Sequence, residues 1–128
     1  MPFIALNPDE VKRPFLPLTI INPATKRKIN AYALIDTGAD ECALPSFIAS
    51  AIGHDLQAGT PKKISTGNGI SSAYSHTVRF QIGDFITDDV AIDFMPNLHM
   101  PLLGVKSFLS KFVLTIDYPA QCFSLMTL

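Results

Sequence analysis

The sequence has no tryptophan, only two cysteines, and charged residues at just 16% of its 128 positions. Each shortage excludes something. Cys42 and Cys122 stand outside any Cys-x-x-Cys pair, and no histidine lies at zinc-ligand spacing from either, so neither a local zinc site nor a disulfide framework is encoded. They read as free, buried thiols of a reducing compartment. His54, His76 and His99 are scattered and read as surface or hydrogen-bonded rings rather than catalytic bases. Neither sign of charge dominates, the formal net charge being −1, which argues against a nucleic-acid partner because phosphate binding needs clustered Lys and Arg. The one basic run, Lys26-Arg27-Lys28, follows Asn22-Pro23-Ala24-Thr25 and reads as a solvated turn. Long apolar runs are also missing. No stretch reaches the roughly 18 residues of a membrane span, and Phe3-Ile4-Ala5-Leu6, stopped by Asn7-Pro8-Asp9-Glu10, falls short of the about 7–15 residues of a signal core. The expectation is a cytoplasmic protein with no membrane partner.

What the chain does have is apolar content, 48% of its residues. That is too much for disorder. At this length one domain buries about two-thirds of its unfolded surface and needs no covalent staple. A domain over 14–128 is expected, preceded by an extended arm at 1–13. There is no room for a two-lobed enzyme in one polypeptide.

The hydrophobic pattern is that of short strands. Apolar and β-branched stretches at 15–21, 29–35, 42–44, 62–66, 70–82, 85–94, 112–116 and 122–126 predict strands. Pro14 and Pro17 keep the first at a sheet edge or a strand start. Turn chemistry separates them at Asn22-Pro23-Ala24-Thr25, Gly67-Asn68-Gly69, Gly83-Asp84 and Asp117-Tyr118-Pro119-Ala120. Asn-Gly between strand-like runs predicts a tight hairpin. Short helices are predicted at 45–52, opened by Pro45 and stopped by Gly53, and near 105–111. The fold class predicted is all-β, a barrel or sandwich-like domain with only short helices.

The segment that carries chemistry is Ala33-Leu34-Ile35-Asp36-Thr37-Gly38-Ala39-Asp40. An apolar strand delivers a carboxylate into a glycine-containing turn. Gly38 lets another backbone come close, and Thr37 adds a hydroxyl able to bridge to it. Asp-Thr-Gly alone is weak, because surface turns use the same residues. Three apolar residues precede it here, however, and Pro101-Leu102-Leu103-Gly104 with Phe108-Leu109 follows the glycine-tipped hairpin.

In those three elements and their order the sequence resembles the retropepsins, the retroviral-type aspartic proteases, and their bacterial relatives, over about residues 14–126. The resemblance implies a closed or partly open β-barrel of the acid-protease type with a flap hairpin. It implies that Asp36 is the catalytic aspartate, that the Thr37 hydroxyl clasps a second subunit beneath the site, and that Gly38 offers its carbonyl to substrate backbone. Asp40 would meet the substrate main chain, Gly67, Asn68 and Gly69 would form the flap tip, and Met100 and Leu102 would line side-chain pockets. Retroviral members usually carry Arg directly after the apolar-apolar-Gly element, paired with the acid matching Asp40. Here Val105 and then Lys106 follow, which leaves Asp40 without that partner.

Peptide hydrolysis by this chemistry uses two carboxylates sharing a proton, with no metal or other cofactor. Only one Asp-Thr-Gly exists in the chain, so the implied enzyme is a homodimeric aspartic endopeptidase acting on a peptide or protein substrate. Pepsin-like relatives often place a hydroxyl residue where Ala39 stands, and its loss implies activity in mildly acidic to neutral buffer. Two other readings compete: a retropepsin-like dimerising module that binds extended peptide without cutting it, and a small β-barrel whose Asp-Thr-Gly is accidental.

Overall fold

The structure is a computed structural model that describes residues 1–66 and 69–127. Strands β1 (Phe15–Ile21) and β2 (Lys28–Ile35) form an antiparallel hairpin in register from Phe15 opposite Leu34 to Ile21 opposite Lys28. The turn between them is held by Asn22, whose buried side chain accepts from Ala24 N (2.9 Å) and donates to the Ile52 carbonyl (2.9 Å). Lys26 adopts a positive φ of 65° in this turn, so the basic run is a solvated connection, as its turn chemistry predicts.

The chain continues through β3 (Ala43–Pro45), helix α1 (Ser46–Ala51), a 3-10 turn at Leu56–Ala58, β4 (Thr60–Thr66) and β5 (Gly69–Ile82). Then come β6 (Phe85–Ile86), β7 (Val90–Met95), β8 (Leu102–Leu103), a 3-10 turn at Leu109–Lys111, and the hairpin β9 (Phe112–Asp117) and β10 (Cys122–Thr127). The main sheet runs β1-β2-β8-β3-β7-β5-β4, and β1 also pairs with β5 through Thr19–Gln81, Ile20–Phe80 and Ile21–Arg79. The sheet therefore curls into a nearly closed ring, with β4 and β6 outside it on β5. The predicted barrel-like, mostly β architecture is what forms, with one short α-helix.

Ring closure turns one face of each strand inward. Leu16, Ile20, Leu44, Val78, Phe80, Ile92, Phe94, Leu103 and Phe108 are fully buried, at roughly 1.5–3 kcal/mol per large side chain removed from water. Phe108 meets Phe80 edge-on at 5.7 Å and Phe112 at 4.9 Å. The first residues join this core: Phe3 is buried, packs edge-on against Tyr118 at 5.5 Å, and donates its N–H to the Gln121 carbonyl (2.7 Å).

Three local expectations are corrected. The run 85–94 is two strands, because the buried Thr87 leaves the pattern to tie the connection to β5: its N–H donates to the Phe80 carbonyl (2.9 Å) and its hydroxyl accepts from Phe80 N (3.0 Å). The predicted helix at 105–111 is a turn followed by the 3-10 segment. There the Ser110 hydroxyl donates to the Lys106 carbonyl that an α-helix would give its N–H, and Ser110 N reaches Val105 instead. Finally, Leu102 and Leu103, outside the predicted strands, form strand β8.

His54 and His76 bind the segment after α1 to β5. Their rings lie 4.6 Å apart, beside Phe94, and their Nε2 atoms donate to the carbonyls of Thr77 (2.9 Å) and Leu56 (2.8 Å). Burial first, and the neighbouring His76 among lesser causes, pushes the His54 pKa below its usual 6.5, against the pull of its backbone bond. The unfolded chain therefore takes up the proton first. The stabilisation is complete above that value and drains away as pH falls below it. Lowering pH from about 7.5 to about 5.5 should reduce the unfolding temperature; in His54→Gln, which keeps a donor for Thr77, the same scan should be flatter.

Candidate active site

Strand β2 enters the ring with Ala33 and Ile35 buried and ends on Asp36, which stays partly exposed. Backbone bonds fix the delivery: Leu34 N to Pro101 O (2.9 Å), Ile35 N to Pro14 O (3.0 Å) and Asp36 N to Leu103 O (3.1 Å). The chain then reverses at Thr37-Gly38. Gly38 N donates to Asp36 Oδ1 (3.0 Å) and Ala39 N to Asp36 O (3.2 Å). One carboxylate oxygen is thus pinned by the turn it opens, and among the described residues no other hydrogen bond engages the carboxylate. Asp36 and Thr37 line a cavity of about 330 Å³ with Phe3, Arg13, Ile35 and Tyr118. The Thr37 hydroxyl is exposed and has no partner among the described residues.

The rest of the loop wraps the segment that follows β8. Val105 N donates to Ala39 O (2.9 Å), Lys106 N to Asp40 O (2.8 Å), and Gly104 N to Cys42 Sγ (3.3 Å). A Cβ on Gly104 would sit 2.4 Å from the Glu41 carbonyl carbon and oxygen. Only glycine lets these two backbones cross. Burial pushes the Cys42 thiol up to about 11, so it stays protonated and packs beneath the turn instead of acting as a nucleophile.

The other predicted site residues fall around this turn. Leu102 opens β8, half-buried, beside Leu34 in the parallel pairing of β2 with β8, and Met100 precedes it by two residues, also half-buried. Asp40 is exposed, and its carboxylate has no partner among the described residues. The cation after Gly104 does not reach it: Lys106 Nζ lies 3.9 Å from Glu41 instead. Gly69 starts β5 at a φ of 110°, a conformation natural only to glycine. Gly67 and Asn68 lie outside the described residues. Strands β4 and β5 do form the predicted hairpin, paired from Thr60–Ser75 to Thr66–Gly69.

An ion cluster beside the loop escaped the sequence reading. Lys62 Nζ lies 3.0 Å from Glu41 Oε2 and 2.9 Å from Asp93 Oδ2, and the Ser75 hydroxyl donates to Asp93 Oδ1 (2.9 Å). Asp93 is only 5% exposed. The signal available was Asp93 itself, an acid inside the apolar run Val90-Ala91-Ile92-Asp93-Phe94, since a buried carboxylate requires a partner.

The chain matches the family described as "gag-polyprotein putative aspartyl protease" over residues 25–111. No curated protein sequence matches it. Among solved structures it is similar to a retropepsin-like aspartic protease from Rickettsia conorii, with 24% identity, TM-score 0.65, and 80% of this chain and 82% of that one covered. It is also similar to the retroviral protease-like domain of Ddi1 from Leishmania major, with 17% identity, TM-score 0.62, and coverage of 93% and 96%. The EIAV protease complexed with the inhibitor HBY-793 matches at 18% identity and TM-score 0.53, covering 79% of this chain and 88% of that one.

The crossing at Gly104 makes a direct demand on that residue. Gly104→Ala should destabilise the fold by about 3 kcal/mol, read as a lower denaturant midpoint. An unchanged midpoint would mean that the crossing relaxes without loss.

Proposed function

Since the chain belongs to this gag-type, retropepsin-like aspartyl protease family, we propose that it is an aspartic endopeptidase whose active unit is a homodimer. One observation carries the reading. A single carboxylate, Asp36, stands just past the buried end of strand β2, partly exposed and tied by one oxygen to the turn beneath it. That is half of an acid pair, and a second copy of the chain supplies the other half.

The chemistry follows from bringing two such acids together. Two carboxyl groups a few ångströms apart do not both ionise readily and share one proton. The ionised Asp36 takes a proton from water as the oxygen attacks the scissile carbonyl carbon. The protonated Asp36 of the other copy gives its proton to the carbonyl oxygen. Collapse of the tetrahedral diol breaks the C–N bond, with a proton passed to the leaving amine. No acyl-enzyme forms. In this reading the exposed Thr37 hydroxyls, which have no partner among the described residues, bond across the two-fold axis. The β4–β5 hairpin, with glycine at Gly69, suits main-chain bonding to an extended peptide.

Peptide-library digestion with wild type and Asp36→Asn tests the assignment. Cleavage should fall by about three orders of magnitude or more in the variant. Binding of an extended transition-state analogue without cleavage by the wild type would favour a peptide-binding module instead. Sedimentation of the active protein should show a dimer, and a monomer that still cleaves peptide would overturn the shared site. The pH–rate profile should peak in mildly acidic to neutral buffer; a peak confined to strong acid would contradict the role inferred from Ala39.

A further inference from the structure

The proteolytic scheme leaves one buried charged group unused. Asp93 lies on β7, on the face opposite the core residues Ile92 and Phe94, and Ser75 and Lys62 reach it from the two strands of the β4–β5 hairpin. The pairing pattern gives that position a mechanical meaning. Strand β5 bonds to β7 only from Tyr74 to Val78 and to β1 only from Arg79 to Gln81. Among the described residues, strand β4 pairs with β5 alone. Outward from the Lys62–Ala73 pair, the strand pairing among the described residues is that of the hairpin with itself. Lys62 stands at the root of this outer portion, and its ammonium spans from Asp93 on β7 to Glu41 in the loop that carries Asp36.

We propose that Lys62 is a positioning residue, clamping the root of the β4–β5 hairpin to the Asp36 loop through Glu41 and the buried Asp93, so that the outer hairpin is held in register with the peptide-cleaving site. Its two arms differ in strength. The Glu41 carboxylate is 37% exposed and screened by water, whereas the Asp93 side chain is 6% exposed, so the Asp93 arm is the stronger. The Ser75 hydroxyl holds the other Asp93 oxygen, which aims the second one at Lys62. Hydrogen bonding to Asp93 chiefly raises the Lys62 pKa, and bonding to Lys62 chiefly lowers that of Glu41, so the contact favours the charged forms of both. The effect on catalysis rests on the protease reading; the clamp itself does not.

Hydrogen exchange and kinetics on the full chain test it together. In Lys62→Met, amides at 62–66 and 69–73 should exchange about tenfold faster, while those of β1 and β2 keep their rates. KM for peptides that the wild type cleaves should rise about three- to tenfold with kcat within about twofold, and Lys62→Arg should restore most of both. Unchanged exchange in the hairpin, or acceleration spread evenly over the chain, would overturn the clamp. If Lys62→Met fails to fold because Asp93 is left buried and unpaired, Lys62→Met/Asp93→Asn removes that charge, and the same hairpin-confined acceleration is expected. If the wild type cleaves no peptide, the protease reading fails while the exchange pattern still decides the clamp.

Discussion

The crossing of the Asp36 loop over the residues after β8 is the constraint on which the rest of the structure depends. Residues from Ala39 to Cys42 take the N–H groups of Gly104, Val105 and Lys106, and Gly104 has no side chain because the Glu41 backbone occupies that space. The crossing pins β8 between β2 and β3, parallel to one and antiparallel to the other. A strand of two residues could not hold that place alone; mean strands run about five or six residues. Because β8 bridges β2 to β3, the ring closes, and because the ring closes, Asp36 emerges at a fixed point on its rim.

Much of this was legible in the sequence. The alternation of Val78, Phe80 and Ile82, the apolar approach to Asp36, and the turn chemistry at Asn22 translate directly into buried faces and a bonded turn, because each pattern is written in residues a few positions apart. What was not legible depends on distant neighbours. Leu102-Leu103 looks like any short apolar pair until β2 and β3 flank it. Phe3, in a segment read as an arm, is drawn into the core by Tyr118 and Phe123, more than a hundred residues on. The break at Thr87 exists because Phe80 presents both its N–H and its carbonyl there. For the candidate site, the Asp-Thr-Gly turn was readable in full, while the partners of Asp93 were not, since Lys62 and Ser75 come from two other strands.

Asp36 and Asp93 show how one residue type is given two tasks by its surroundings. Asp93 is sunk in the sheet with an ammonium and a hydroxyl on its two oxygens, an arrangement that satisfies the charge and locks its geometry. Asp36 has one backbone N–H on one oxygen, and among the described residues no hydrogen bond on the other. The first is held on both oxygens. The second keeps acceptor capacity, which the proposed proton exchange would use.

The nearly closed ring has a further consequence, for what the protein avoids. A closed sheet has no free edges, but β4 hangs outside the ring and, among the described residues, leaves one side of its backbone without a strand. An open strand edge invites endless pairing with other chains. Here that edge carries Pro61, which cannot donate, followed by Lys62 and Lys63. Proline and lysine on an edge are the means by which natural sheets resist growing into fibrils. Strand β4 therefore stays open toward its surroundings without becoming a template for aggregation.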